Sequence, residues 1–220
     1  MPGLDTNLHL DMYRAYREKH SWLRRLRRAA REVTSPRKLY GMEWGDPEIV
    51  RPLRFIRDRY LLPYVNPMHI AAEIGPGGGR WTQYLTAFRQ LYLVDYHGEL
   101  LQEAGRRFHG PNITFVKNNG CDLPGIEDSA LDFVFSFGCF VHLDADLIKR
   151  YLSEMHRVLK RGGNAVIHYS DQNKIMAQVN PSFSKNTPEQ MRAMVRAAGF
   201  VILEEDLTTM WHSSIIRFTH

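Results

Sequence analysis

From His69 onward, short apolar runs alternate with segments of helical periodicity, and this alternation restricts the possible folds more than any other feature of the chain. Strands separated by helices are typical of a parallel sheet whose connections cross over its faces. The last two apolar runs are only five residues apart, which favours an antiparallel hairpin. The sequence therefore predicts an α/β, doubly wound, seven-stranded sheet with its last strand antiparallel, with strands at 69–74, 91–95, 112–116, 131–137, 164–169, 200–205 and 211–218.

The clearest helix lies between the fourth and fifth predicted strands. Apolar residues from Leu147 to Leu159 recur at helical spacing, and Gly162 is placed to end the helix. A further helix is predicted at 188–198, and an earlier one begins at Asp46-Pro47 and continues to about Tyr60.

The composition excludes several classes of protein. The 220 residues are 44% hydrophobic and 24% charged, which argues against global disorder. No stretch approaches 18 consecutive apolar residues, and the first 20 residues lack an apolar signal-peptide core, so we expect neither a membrane span nor a secretory leader. Cys121 and Cys139 are too few for a disulfide framework and suit a reducing compartment. We therefore expect a soluble cytoplasmic protein.

The positive charge is concentrated at the N-terminus. Residues 1–40 hold ten Lys and Arg against four acids, a balance of +6, and the whole chain carries +5, so residues 41–220 carry about −1. We predict an amphipathic helix at 8–33 inside an N-terminal helical segment, 1–65, that forms a lid or an oligomer contact such as a homodimer. The main domain would be 66–220. The basic run 24–28 either contacts phosphates or is a solvated helix face.

A glycine-rich turn follows the first predicted strand and opens a helix. Its glycines, Gly75, Gly77 and Gly79, would let the backbone approach a ligand where any Cβ would clash. A nicotinamide-binding loop usually has the spacing G-x-G-x-x-G, and Arg80 stands where its third glycine would be. The spacing is instead E-x-G-x-G-x-G, with Glu73 two residues before the first glycine.

In this motif, and in the acids that follow it, the sequence resembles the class I S-adenosylmethionine-dependent methyltransferases, which have a Rossmann-like fold. Asp95 ends the second predicted strand, where the resemblance implies a carboxylate that accepts both ribose hydroxyls of the cofactor. Asp122, in Cys121-Asp122-Leu123-Pro124, would accept from the adenine amino group. The resemblance covers about residues 69–218 and implies S-adenosyl-L-methionine as cofactor. The implied cofactor-binding residues are Glu73, Gly75, Gly77, Gly79, Asp95, Tyr96, Asp122, Leu123 and Phe137.

The residues after the fourth predicted strand bear on the methyl acceptor. Family members that methylate amino groups of nucleic acids carry Asn/Asp-Pro-Pro-aromatic at this point, and this chain has Ser-Phe-Gly-Cys at 136–139. His142 follows at the sheet edge, where a histidine suits a general base, and Asp144 would orient it or help to hold a divalent metal. The alternatives are a packing role for His142 and a helix cap for Asp144. His168 and Asp171 are secondary candidates.

The whole layout is similar to small bacterial O-methyltransferases that act on saccharides, among them the sugar 1-O-methyltransferase of mycobacterial methylmannose polysaccharide synthesis. That resemblance implies methylation of a hydroxyl on a small-molecule or oligosaccharide substrate, with Tyr40, Trp44 and Trp211 as stacking platforms for sugar rings. One alternative is an RNA methyltransferase that uses the basic arm, although nucleic acid is disfavoured by the motif at 136–139. Another is a partner subunit without catalysis, which would be expected to lose the pocket acids. A nicotinamide-dependent reductase is disfavoured by Arg80.

Overall fold

A computed structural model describes Gly41 and residues 44–220 of the chain. Seven strands form one sheet in the order β3-β2-β1-β4-β5-β7-β6. The strands are β1 Ile70–Ile74, β2 Gln90–Asp95, β3 Ile113–Lys117, β4 Leu131–Ser136, β5 Leu159–Ser170, β6 Val201–Asp206 and β7 Ser213–Thr219. The first five are paired in parallel, and β7 runs antiparallel to both β5 and β6. The predicted fold class, a doubly wound sheet with its last strand antiparallel, is confirmed.

Helices lie between the strands. They are α1 Arg51–Ile56, α2 Thr82–Leu85, α3 Gly98–Gly105, α4 Ala145–Val158, α5 Ile175–Gln178 and α6 Pro188–Ala197. A π-helical turn, Arg57–Leu61, and a 3-10 turn, Leu62–Tyr64, extend α1, and another 3-10 turn, Phe140–His142, precedes α4. No helix among the described residues is long and apolar enough to cross a membrane.

Most predicted boundaries differ from the structure by one residue, and a few differ by more. The helix placed at Asp46 begins at Arg51, because residues 46–49 form a turn that is closed by backbone hydrogen bonds to the Asp46 carbonyl. α4 ends at Val158 rather than at Gly162, because β5 begins at Leu159 and pairs there with Leu131 before the ladder shifts register. The last strand begins at 213 rather than 211.

Each face of the sheet has its own hydrophobic core, and β4 contributes to both because side chains alternate along a strand. Phe133 and Phe135 join the cluster that includes α1, whereas Val134 joins the cluster that includes α4. Four buried side chains of 53–61 belong to the first cluster: Leu53, Ile56, Tyr60 and Leu61. The described part of the predicted N-terminal segment therefore packs on the sheet. The predicted helix at 8–33 lies outside the described residues.

Candidate functional site

A cavity of about 400 Å³ lies at the carboxyl ends of β1, β2 and β4. This edge is where open parallel sheets bind ligands, because the connections leave the sheet there in opposite directions. Its wall includes Trp44, Gly75, Gly77, Arg80, Trp81, Asp95, Tyr96, His97, Gly120, Phe137, Cys139, His142, His168, Asn180, Ser182, Phe183 and His212. Seven of the fourteen predicted site residues line this cavity: Trp44, Gly75, Gly77, Asp95, Tyr96, Phe137 and His142.

The glycine loop forms one wall of the cavity. Gly75, Gly77 and Gly79 have φ values of +71°, +56° and +85°, in the left-handed region that favours glycine. A Cβ at Gly75 would lie 2.5 Å from the Cβ of Cys139. The loop therefore packs so closely against the segment after β4 that only glycine fits at this position. The backbone is therefore exposed to a ligand at Gly75 and Gly77, which both line the cavity.

Glu73 lies beneath this loop rather than on the cavity wall. Its side chain is buried and accepts a hydrogen bond from the hydroxyl of Thr82, in the helix that follows the loop. Burial raises the pKa of Glu73 to about 8, and the Thr82 hydroxyl opposes that shift. Glu73 therefore ties the strand before the loop to the helix after it.

Asp95 is a buried carboxylate on the cavity wall at the end of β2. The backbone N–H of His97 donates to its Oδ1 at 2.8 Å, and the backbone of Gly77 and Tyr96 also lies near the carboxylate. Burial raises the pKa of Asp95 to about 7, and these backbone groups lower it. The carboxylate is thus held by the turn that follows its own strand.

Asp122 and Leu123 are placed close to the cavity but do not line it. The Asp122 Oδ1 accepts from the N–H of Asn119 at 3.0 Å, which closes the loop on itself. Leu123 is fully buried, and its N–H donates to Glu154 at 3.0 Å. Gly120 is the residue of this loop that faces the cavity.

His142 lies in the 3-10 turn after β4, with its ring on the cavity wall. Its Nδ1 is 2.7 Å from the carbonyl oxygen of Ser182. A carbonyl only accepts, so Nδ1 carries the proton and Nε2 is the basic nitrogen of the neutral ring. Burial lowers the pKa of His142 to about 4, so the ring is neutral at physiological pH.

The structure does not support the predicted pairing of Asp144 with His142. Asp144 is exposed at the start of α4 and does not line the cavity, and its side chain makes no capping hydrogen bond. Within the described residues there is no group of three or more His, Cys, Asp or Glu that could hold a metal ion.

Of the three residues predicted to stack on a sugar ring, the structure places one, Trp44, at the cavity. Trp44, half exposed, lines the cavity rim, whereas Tyr40 lies outside the described residues. Trp211 is 79% exposed and does not line the cavity. Its neighbour His212 does, because β7 runs antiparallel and its first residues lie at the same edge as the end of β5.

Arg80 is a wall residue that the sequence pattern did not identify as part of a site. Its side chain is 7% exposed and donates to the carbonyl oxygen of Gly41 at 3.0 Å. The guanidinium also lies over the rings of Trp81 and Phe137, 5.6 and 5.5 Å from their centroids. Its position directly after the last glycine was the available signal, since that turn opens a helix beside the ligand.

Comparison with known proteins agrees with this geometry. The family described as "Methyltransferase domain" matches residues 72–167, from β1 through β5. The chain carries a class I methyltransferase domain. The matched segment contains the glycine loop, Asp95 and His142. No curated protein sequence gives a significant match.

Solved structures share the fold of this methyltransferase at low sequence identity. One is a chain in the complex of the Haloferax volcanii Trm112 methyltransferase activator, with a TM-score of 0.67 and 18% identity, covering 82% of this chain and 91% of that one. An S-adenosylmethionine-dependent methyltransferase from Mesorhizobium loti has a TM-score of 0.64 and 14% identity, covering 79% and 100%. Another, from Archaeoglobus fulgidus, has a TM-score of 0.64 and 17% identity, covering 82% and 98%.

The cofactor of this methyltransferase is S-adenosylmethionine, and the cavity fits it. Asp95 can accept from ribose hydroxyls, and the glycine loop offers backbone at close range. The buried indole Nε1–H of Trp81, next to that loop, has no hydrogen-bond partner among the described residues. An unpartnered donor in the cavity wall suits a ligand that carries acceptor atoms, as the methionine carboxylate of the cofactor does.

Proposed function

We propose that this methyltransferase acts on a hydroxyl of a small or oligomeric acceptor, and that the acceptor is a saccharide. The observation that carries the proposal is the hydrogen bond from His142 Nδ1 to Ser182, which leaves Nε2 as the basic nitrogen of a ring on the cavity wall. An alcohol acceptor requires a group that takes its proton, and this histidine is suitably neutral.

The chemistry needs little from the protein beyond alignment and one proton transfer. When bound, the cofactor supplies an electrophilic methyl group. Asp95 and the glycine loop would hold the cofactor so that the acceptor oxygen takes that methyl group, and His142 Nε2 would accept the proton of the hydroxyl. A weak base is sufficient, because the hydroxyl becomes strongly acidic as its oxygen is alkylated. The products are the methyl ether and S-adenosylhomocysteine.

A saccharide acceptor is supported by the combination of an indole at the cavity rim and polar groups inside. Trp44 can stack on a sugar ring, and Asn180 and Ser182 are polar residues that line the same cavity. Trp211 is too far out for that role in this structure. Asp144 is exposed, so the proposal assigns proton removal to His142 and requires no metal from Asp144.

We also propose that the N-terminal segment, 1–65, covers the acceptor side of the cavity as a lid. Gly41 and Trp44 line the cavity, and Arg80 donates to the carbonyl oxygens of both Gly41 and Gly45. These contacts anchor the end of the segment to the glycine loop. Deletion of residues 1–40 is expected to weaken acceptor binding, measured as a higher KM for the acceptor.

The test is methyl transfer from S-adenosylmethionine to a panel of saccharides, followed by mass spectrometry. His142→Ala should lower turnover by about 100-fold or more while calorimetric affinity for S-adenosylhomocysteine is retained. His109→Ala, a change at an exposed histidine outside the cavity, is the control. Wild-type turnover in His142→Ala would rule out its role as the base.

The same assay also tests two alternative functions. An RNA methyltransferase would methylate RNA and bind it with steep salt dependence that is lost without residues 1–35. A structural neighbour comes from a complex with a methyltransferase activator, so a protein that binds cofactor yet transfers no methyl group should be retested with candidate partner subunits. A chain without catalysis is disfavoured, because Asp95 and the glycine loop are present.

A further inference from the structure

Five rings form a continuous series along one wall of the cavity, and we call them the aromatic arc. The ring of His168 stacks on Phe137 with 3.9 Å between centroids, and His212 follows 6.1 Å from His168. Phe183 lies 5.2 Å from His212 and 5.5 Å from His142. All five residues line the cavity, so the arc leads from the segment after β4 to the proposed base.

The three histidines of the arc differ in their hydrogen bonds. The Nδ1 of His168 accepts from the N–H of Gly138, and its Nε2 bonds to the hydroxyl of Ser213. The Nδ1 of His142 donates to Ser182. By contrast, the Nδ1 of His212 is buried and has no hydrogen-bond partner among the described residues. Buried polar atoms are nearly always satisfied, so a ligand or water is expected at this nitrogen.

The chemistry of His212 selects the kind of group that can satisfy it. Burial and the nearby Lys174 lower its pKa, so the ring is neutral near pH 7. In a neutral imidazole Nδ1 is an acceptor in one tautomer and a donor in the other. A hydroxyl both donates and accepts, so it fits either tautomer, whereas a carboxylate or carbonyl oxygen fits only the donor form.

We infer that His212 binds a second hydroxyl of the acceptor, at a distance along the aromatic arc from the hydroxyl presented to His142. His212 is then a specificity-determining residue, and the enzyme prefers acceptors with several hydroxyls over those with one. This inference rests on the proposed function for the identity of the first hydroxyl, but binding at His212 is measurable without turnover.

The experiment uses the full chain saturated with S-adenosylhomocysteine and labelled with ¹⁵N in its imidazole rings. Methyl α-D-glucopyranoside is the polyol probe, and cyclohexanol is a ring with one hydroxyl. The glucoside is expected to shift the His212 Nδ1 resonance, and cyclohexanol is expected to leave it in place.

Two substitutions separate the nitrogen from the bulk of the ring. In His212→Asn the amide occupies the position of Nδ1, and in His212→Gln it occupies that of Nε2. The Gln variant should lose about tenfold in glucoside affinity, the value of one hydrogen bond, while the Asn variant stays close to wild type. Equal glucoside affinity in wild type and His212→Gln overturns the inference, and so does the absence of glucoside binding.

Failure of the proposed function gives a different result. If His142 is not the base, His142→Ala retains turnover while the His212 variants still change glucoside affinity. If His212 has no role in binding, its Gln variant methylates acceptors with an unchanged KM, and His142→Ala remains inactive.

Discussion

The imidazole of His168 lies flat on the ring of Phe137, with 3.9 Å between centroids and 7° between planes. His168 is also fully hydrogen-bonded, to the N–H of Gly138 and the hydroxyl of Ser213. Burial lowers its pKa well below the usual value, so it stays neutral. With both nitrogens occupied, His168 supports the cavity wall and has no free nitrogen for proton transfer.

His168→Phe is expected to destabilise the protein. Stacking on Phe137 can persist, but Gly138 and Ser213 lose their partner inside the core, which costs about 1–3 kcal/mol of unfolding free energy. Ser213→Ala removes one of the same hydrogen bonds and should cost less, about 1 kcal/mol. Urea unfolding of both variants measures the difference, and equal stability of His168→Phe and wild type would contradict a supporting role.

Asp95→Asn is expected to weaken cofactor binding. The buried carboxylate accepts from the backbone N–H of His97, so its position is fixed before the ligand arrives. Replacing the charge weakens the hydrogen bonds from the ribose hydroxyls, each worth about 1.5–3 kcal/mol to a charged acceptor, and predicts a loss of about 100-fold in affinity.

Calorimetric titration with S-adenosylhomocysteine provides the measurement. Asp128→Asn is the matched control, because that aspartate is exposed and pairs with Arg157 away from the cavity. Undiminished affinity in Asp95→Asn would remove Asp95 from the cofactor site.

The sequence was sufficient for the fold class and for placing several of the predicted cofactor residues at one edge of the sheet, whereas Glu73, Gly79, Asp122 and Leu123 do not line the cavity. Strand ends carry the residues that do line it, and parallel strands bring their carboxyl ends to one edge, so Gly75, Asp95 and Phe137 could be placed together from their order alone. The residues on the acceptor side of the cavity were harder to predict from the sequence. Trp211 and His212 are adjacent, but His212 lines the cavity while Trp211 is exposed outside it, and the sequence does not show which of the two reaches the cavity.

Contacts between segments that are distant in the sequence also could not be predicted from sequence patterns. Nothing in the loop at 172–186 indicates that Ser182 would fix the tautomer of His142, 40 residues earlier. Asp144 looked like a partner for His142 because it is two residues away, but a turn into α4 directs it to solvent. Arg80 stands where a nicotinamide-binding loop has its third glycine, and that position alone does not indicate its contacts with Gly41 and Phe137.

Two buried carboxyl groups predict an unusual pH dependence of stability in the cofactor-free protein. The folded-state pKa of Glu73 is raised to about 8 and that of Asp95 to about 7, from 4.5 and 3.8. The folded protein therefore retains protons that the unfolded chain has released, so these groups make stability fall as pH rises toward 8. Below about pH 6.5, the lowered pKa values of His142 and His168 act in the opposite direction.

The expected profile is a decline in unfolding free energy between about pH 6.5 and 8, where the histidines no longer contribute. Glu73→Gln keeps an oxygen that can accept from Thr82 and removes one titrating group, so its decline should be shallower by up to about 1.4 kcal/mol per pH unit. Urea unfolding at several pH values gives both profiles. Parallel curves for the two proteins would show that Glu73 ionises normally.

Asn180 is expected to act as a positioning residue for His142. Its Oδ1 accepts from both the N–H and the hydroxyl of Ser182, at 3.0 and 2.7 Å, and so fixes the carbonyl that holds His142 Nδ1. On the same loop, the N–H of Ser184 donates to the Val141 carbonyl at 2.8 Å, which holds the loop against the turn that carries His142. Loss of the Asn180 acceptor should loosen Ser182 while the rest of the loop remains attached.

In Asn180→Ala, His142 is expected to exchange part of its Nδ1–H tautomer for the Nε2–H form, because the carbonyl acceptor is no longer fixed. The Nε2–H form has no lone pair toward the acceptor, so kcat should fall about tenfold with little change in the KM for S-adenosylmethionine. Imidazole ¹⁵N shifts report the tautomer directly, which a general loss of stability would not alter. Asn180→Asp keeps the accepting oxygen and should restore the wild-type tautomer; if it does not, or if Asn180→Ala leaves the tautomer unchanged, the Ser182 carbonyl is positioned by other contacts of the loop.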